Sequence, residues 1–422
     1  MRCMPCVKVP RRVILFPWPW RMSAPFSTTT IMPATPTEQL HHLGIRADEL
    51  SASGALWTAR EIEQQPHSLQ RTHTLLASLH AELRRFVSPV ADNPLARIIL
   101  TGAGTSAYIG GCLATILDAE LAARVDGVPT TDIVSCPHLH LHPDQPLLLV
   151  SFGRSGNSPE SLQAVTLAES LVKDVRHLFV TCNAEGALGN AKVRLAKTLL
   201  LPEETHDVSF AMTSSFSCMM YATLNALSKP GAFDGRIGAI AQATRRVIQE
   251  TQGALQSLAK NSYERVVYLG SGPFQSLARE ATLKLGELTN GAVATNFDTP
   301  LGFRHGPKTF INDLTLVLVF VSNDPLTRKY DHDLLDELRR DGRAARVIEV
   351  TARPRSDLAR DTLQVTGMVD AADVELLWPY IAVAQLYAFH QSRTLGLSPD
   401  NPNKEGTVNR VVQGVRLYPL VK

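Results

Sequence analysis

Three things are scarce in this 422-residue sequence, and each scarcity excludes a class of protein. Cysteine is thinly spread: six residues, at positions 3, 6, 112, 136, 182 and 218, form no dense framework of the kind that staples small secreted domains, and they read as reduced thiols. Cys3 and Cys6 make a lone C-x-x-C with no second pair and no nearby histidine, which falls short of a metal or redox centre. No apolar run approaches the ~20 residues of a membrane span. The segment Val13 to Trp20 is short, broken by Pro17 and Pro19, and followed by no small-residue cleavage pattern, so it makes a poor signal peptide. Charge of one sign is missing too. Lys plus Arg total 42 against 40 Asp plus Glu, and the first 37 residues hold five bases (Arg2, Lys8, Arg11, Arg12, Arg21) and no acid, leaving 37 against 40 in the remainder. A nearly neutral body has no electrostatic footprint for a nucleic-acid backbone. The expectation is a soluble, cytoplasmic protein with neither membrane nor nucleic acid as partner.

What is present is globular: 44% hydrophobic and 19% charged residues over a length that suits two domains with full cores. The acid-free start is either a transit peptide or an over-long gene model, since Met22 and Met32 offer later starts; residues 1–37 are set aside as an N-terminal extension. From Leu40 to Phe86 the pattern is helical, with Leu75, Leu76, Leu79 and Leu83 on one face, before Pro89, Asn93 and Pro94 mark a loop. Short apolar runs then alternate with helical stretches. Ile98 to Leu100 ends in TGAGTS and a helix from Ile109 to Leu121, Leu147 to Val150 leads into SFGRSGNSPES and a helix through Leu171, and His177 to Thr181 ends at Cys182-Asn183. That alternation implies a parallel sheet with crossover helices.

The order recurs. RVVYL (Arg265 to Leu269) runs into Gly270-Ser271-Gly272 as RIILT (Arg97 to Thr101) runs into Gly102-Ala103-Gly104, an offset of about 170 that LVLVFVS against PLLLVS and RVIEVT against RHLFVT repeat. Chance likeness of short apolar strands is the plainer alternative to an internal duplication. The boundary is expected near Ser228-Lys229-Pro230-Gly231, giving domains at 38–230 and 231–422.

In SFGRSGNSPES, Gly153 and Gly156 permit a tight turn, and Ser158-Pro159 opens a helix as N-cap and first-turn proline. Free backbone N–H groups and the hydroxyls of Ser151, Ser155 and Ser158 would then face a dianion favoured by the helix dipole, with Arg154 as a charged donor. A capped turn that holds nothing is the bland reading. A second hydroxyl-rich turn, Thr105-Ser106, follows the preceding strand and faces the same crevice at the strand ends, which favours a phosphate site.

The second copy has NDPLTRKY after Ser322 in place of a hydroxyl loop. It carries instead Lys284 and Glu287, three apart on one helix face, and His305 in a loop between Arg304 and Gly306-Pro307. The alternating run His138, His140 and His142 would project three imidazoles from one face of a strand, but prolines flank it and no carboxylate pair lies nearby, so no metal is expected.

At these residues the chain resembles the sugar isomerase (SIS) domain family, specifically the double-domain isomerase half of glucosamine-6-phosphate synthase and its relatives. ATLKLGELTNG is similar to the family's ALKLKE segment, FRHGP to its KHGP loop, and GTS and SGNS to its two phosphosugar turns. The likeness runs from about Arg97 to the C terminus. It is nearest to the tagatose-6-phosphate isomerase/galactosamine-6-phosphate deaminase group, which shares the SFGRSGNSPES-like loop and the DNP…VNRVVQGVRLYPL segment. The stretch before Arg97 is too short for a glutaminase domain and lacks Cys at position 2, so glutamine-dependent amination is not expected. Where the synthase has its ring-opening lysine this chain has Thr407, with Lys404 displaced by three.

The resemblance implies an α/β fold of two tandem doubly wound parallel-sheet domains of the flavodoxin-like kind. It implies that Glu287 is the proton-transfer base, His305 opens the ring, and Lys284 stabilises developing charge. Gly104, Thr105, Ser106, Ser151, Arg154, Ser155, Asn157 and Ser158 would hold the sugar phosphate, with no metal and no organic cofactor. It further implies a homodimer in which the His305 loop reaches the neighbouring site. The expected reaction converts an aldohexosamine 6-phosphate, galactosamine 6-phosphate above all, to a ketohexose 6-phosphate and ammonia. Simple aldose/ketose isomerisation and a non-catalytic sugar-phosphate sensor that regulates a partner protein are the alternatives; the chain before Arg97 has no helix-turn-helix, which disfavours a DNA-binding regulator.

Overall fold

The structure is a computed structural model and describes residues 40–355, 361–412 and 414–420. The 1–37 extension, with Cys3, Cys6 and the Val13 to Trp20 run, lies outside the described residues.

Two five-stranded parallel sheets organise the molecule. The first contains β1 (Arg97–Thr101), β2 (Arg124–Gly127), β3 (Leu147–Gly153), β4 (Val175–Thr181) and β5 (Ala196–Leu200) in spatial order β2-β1-β3-β4-β5. The second contains β6 (Arg265–Gly270), β7 (Ala294–Asp298), β8 (Thr315–Phe320), β9 (Arg346–Thr351) and β10 (Thr362–Gln364), ordered β7-β6-β8-β9-β10. Numbered within its own half, each sheet has the same order, 2-1-3-4-5, the doubly wound flavodoxin-like arrangement, whose ligand crevice opens where the order reverses.

Alternation along the strands explains how both sheets are buried on two faces. Ile98, Leu100, Leu148 and Val150 point with Val266, Tyr268, Leu316 and Leu318 into one shared core. Their neighbours Ile99, Leu147 and Leu149 face outward under α3 (Pro159–Leu171), and Val267, Leu269, Val317 and Val319 face outward under α8 (Thr327–Asp341). The shared core is filled by helices, among them α1 (Gln65–Ala91), α2 (Thr105–Glu120), α4 (Ser214–Leu227), α5 (Ile237–Glu250), α6 (Gln252–Ala259), α7 (Pro273–Leu288) and α9 (Asp373–Thr394). Every residue of α9 from Glu375 to Ser392 is buried, the pattern of a helix covered on all sides.

Two expectations need correction. Pro89 does not end the first long helix: it lies inside α1, which runs to Ala91, because a proline so close to the terminus removes a single backbone bond. The His138 to His142 run is not a strand. Pro137 starts a helical turn, Pro137–His140, in which residues two apart do not share a face.

Candidate functional site

The site is built by two βα turns of the first sheet and one helix of the second. After β1, Gly104 adopts φ 57°, a conformation that only glycine takes readily, and turns the chain into α2 with Thr105 and Ser106 in its first turn. After β3, Gly156 at φ 67° completes a tight turn, and Ser158 stands at the N-cap of α3 before Pro159. β1 and β3 are adjacent and mark the reversal of strand order, so both turns open on one crevice.

From the other half, α7 packs on α2. Gly111 of α2 allows this approach: a Cβ there would lie 2.4 Å from the Ser276 hydroxyl oxygen. The packing brings Glu287 to the crevice. Gly104, Thr105, Ser106, Arg154, Ser155, Ser158 and Glu287 line a single cavity of about 230 Å³. Further wall comes from Phe210, Met212 and the C-terminal tail at Val408 to Val412. A wider depression of about 640 Å³ adjoins it and shares Phe210, Glu287 and Val408, so the Glu287 carboxylate stands where the two meet.

Beneath Glu287 lies a buried ionic cluster that joins the halves. Lys284 is fully buried; its Nζ donates to Glu287 Oε2 at 2.5 Å and to Thr105 Oγ1 of α2 at 2.9 Å, and it lies 3.5 Å from Glu280 Oε1. Thr105 Oγ1 in turn donates to Glu280 at 3.3 Å. Burial alone would pull the Lys284 ammonium down, but the carboxylates of Glu280 and Glu287 outweigh it and hold it above its ordinary value. Burial pushes the Glu280 carboxyl up to about 8, and Lys284 beside it pulls the other way. Glu280 escaped the sequence reading. Its signal was present, because Glu280, Lys284 and Glu287 are spaced i, i+4, i+7 on one face.

Arg154 reaches the cavity wall with its guanidinium already engaged. It is 6% exposed; Nη1 donates to the carbonyls of Ser209 and Phe210, both at 3.0 Å, and Nη2 to that of Arg410 at 3.1 Å. Burial, reinforced by Arg410, lowers it to about 10, which leaves it cationic at neutral pH. It therefore fastens the 207–212 loop and the tail to the turn after β3 while standing on the cavity wall. The same loop is held from behind by Glu61, which accepts the Val208 and Ser209 N–H groups at 2.5 and 3.1 Å and the Ser209 hydroxyl; burial raises Glu61 to about 8.

Other expected residues fall elsewhere. Ser151 is buried within β3, its hydroxyl without a partner among the described residues, and it is not on the cavity wall. Asn157 faces solvent and its Oδ1 accepts the Ala187 N–H at 3.0 Å, bracing the loop from outside. Ser158 is the N-cap residue as expected, yet its hydroxyl donates to Glu160 at 2.8 Å instead of capping a helix N–H. His305 is exposed and lies off the cavity. Thr407 bonds Asn403 at 3.0 Å, and Lys404 is also off the wall. Among the described residues, no lysine or histidine lines this cavity.

Comparison with known proteins places this geometry. The SIS domain model matches residues 94–228. A D-galactosamine-6-phosphate deaminase AgaS of Shewanella sp. (strain ANA-3) is 43% identical, the match covering 90% of this chain and 96% of the relative. Among solved structures, a putative tagatose-6-phosphate ketose/aldose isomerase of Clostridium novyi NT superposes with a TM-score of 0.87 at 38% identity, covering 90% of this chain and all of the other. A tagatose-6-phosphate ketose/aldose isomerase of Escherichia coli does so with a TM-score of 0.79 at 41% identity, over 86% and 96% of the two chains.

Proposed function

The chain belongs to the SIS domain family, and from that premise we propose that it is a deaminase/isomerase converting galactosamine 6-phosphate to tagatose 6-phosphate and ammonia. One observation carries the reading: an anion cradle from the first half and the Glu287 carboxylate from the second line the same cavity. The substrate and product are those suggested by the names of its relatives.

In this reading the 6-phosphate sits against the N-termini of α2 and α3, among the Ser106, Ser155 and Ser158 hydroxyls. The open-chain sugar then extends toward Glu287. Its carboxylate takes the C2 proton to give an enolamine and returns it to C1, leaving a ketimine at C2. Water adds to that carbon and ammonia departs, leaving the ketone. Lys284 holds Glu287 in place from below and supplies positive charge near the developing enolate oxygen.

Ring opening requires a proton donor that this cavity does not supply from its own lysines or histidines. We assign it to His305 of a second copy in a homodimer, delivered through the wider depression beside Glu287, and we place the enzyme in the cytoplasm. The two halves are read as one duplicated unit, divided at 230/231.

The test is Glu287→Gln. Ammonia release from galactosamine 6-phosphate is expected to fall by about 10²–10⁴-fold, with sugar-phosphate binding retained in calorimetry; unchanged turnover removes the assignment. The relatives named as ketose/aldose isomerases favour a second reading, isomerisation without loss of nitrogen. Turnover of unaminated hexose 6-phosphates, with none of the hexosamine, selects it.

A further inference from the structure

Lys404, which the sequence places near the position of a ring-opening lysine, lines a different cavity. That cavity, of about 430 Å³, lies where the C-terminal ends of three helices meet: Ala47–Ala52, α6 and α9. Its wall includes Lys260, Arg393, Lys404, His390, Thr394 and Ser398, and among the described residues no acidic side chain. Arg393 pairs with Glu49 at 2.8 Å, outside the wall. Neither Lys260 nor Lys404 has a carboxylate partner among the described residues. His390 is 2% exposed, and its Nε2 is a buried polar atom with no hydrogen-bond partner among the described residues.

Bases at helix C-termini have an ordinary explanation, compensation of the last carbonyls and of the helix dipole. Here several of those carbonyls are already engaged by other groups. The Ser53 hydroxyl donates to Glu49 and Leu50 at 3.0 and 3.1 Å, and the Asn261 amide to Ser257 and Leu258 at 3.2 and 3.0 Å. The N–H groups of Leu395, Gly396 and Leu397 close the end of α9 onto Gln391, Arg393 and Ser392. The two ammonium groups are therefore left unpaired beside a hydroxyl-bearing recess, and unpaired like charges held together favour a bound anion.

We infer that this cavity is a second anion site, taking a small phosphate-bearing molecule between Lys260 and Lys404 with Arg393 and the Ser398 and Thr394 hydroxyls around it. Lys404 lies four residues before Val408, where the same tail begins to wall the Glu287 cavity. The site stands independently of the chemistry proposed above.

Binding of radiolabelled inorganic phosphate by equilibrium dialysis tests it directly on the full chain. To silence the first cradle, the background is Ser106→Ala/Ser155→Ala/Ser158→Ala. That protein is expected to keep one saturable phosphate per chain, weakened at least about tenfold when Lys260→Glu and Lys404→Glu are added. Both lysines are exposed, and circular dichroism checks that the charge-reversed protein is folded. No saturable binding in the triple-serine background, or binding indifferent to the lysine reversals, overturns the inference. Because the readout is binding and not turnover, a chain inactive on galactosamine 6-phosphate leaves the result readable.

Discussion

The two halves contain the same pair of βα turns, and only one of them is left open. Gly104 and Gly272 occupy equivalent positions with nearly equal backbone angles, φ 57° ψ −128° and φ 56° ψ −125°. After Gly104 come Thr105 and Ser106; after Gly272 come Pro273 and Phe274, whose ring is fully buried 5.0 Å from that of Tyr380. At the second turn, Ser322 corresponds to Ser151, but two carboxylates occupy its surroundings. Asp331 accepts the Ser271 hydroxyl at 2.6 Å and the Ser322 N–H at 2.9 Å, while Asp373 accepts the Ser322 hydroxyl at 2.5 Å and the Asn323 N–H at 2.7 Å. Donors that could face a ligand dianion in the first half are consumed in the second by the protein's own anions. The scaffold alone therefore does not make a phosphate site; what matters is whether its donors are already spent internally.

The largest effect expected from breaking this contrast is at Phe274. Phe274→Ala leaves a cavity between β6 and α9 and is expected to lower unfolding stability by about 3–5 kcal/mol in denaturant titration, with KM nearly unchanged in the folded fraction. A comparable loss at the aligned Ser106 would mean that the first turn is also structural. Next comes the ionic cluster under Glu287. A carboxyl held at about 8, above its ordinary 4.5, binds its proton more tightly folded than unfolded. Its contribution is thus complete below 4.5 and is lost as pH rises through about 8. Glu280→Gln keeps a neutral group there at every pH. Thermal unfolding of wild type should therefore weaken relative to the variant across this window, by a few kcal/mol; parallel curves would show Glu280 ionised throughout. Third, Ser155→Ala removes a donor from the open cradle and should raise KM by about ten- to a hundredfold, on the order of 1.5–3 kcal/mol for one charge-assisted bond, with little change in melting temperature.

Legibility in the sequence followed the same divide. Strand ends, glycine turns and the Lys284/Glu287 face were readable because each depends on neighbours within one turn or one strand. The carbonyl partners of Arg154, at Ser209, Phe210 and Arg410, were not legible, because they come from irregular segments about 55 and 256 positions away, and no periodicity announces them. Ser151 lies within β3 and Asn157 in the turn that follows it, and which way each side chain points is set by packing against β4 and by the bond to Ala187. The silencing of the second cradle was half visible: the missing hydroxyl loop could be seen, whereas Asp373, fifty residues beyond Asn323, could not.

The smallest expected effect is the sharpest test of that silencing. Asp373 is the first residue of α9, so its carboxylate serves two ends at once, accepting from Ser322 and Asn323 and opposing the positive pole of its own helix. Asp373→Asn preserves shape and one acceptor while removing charge. The loss should be about 1 kcal/mol of stability, with ammonia release and KM unchanged, because in the proposed reading only the turns of the first half hold the phosphate. If KM instead rises as far as in the serine variant, the second turn also contacts substrate, and the division of labour between the halves is wrong.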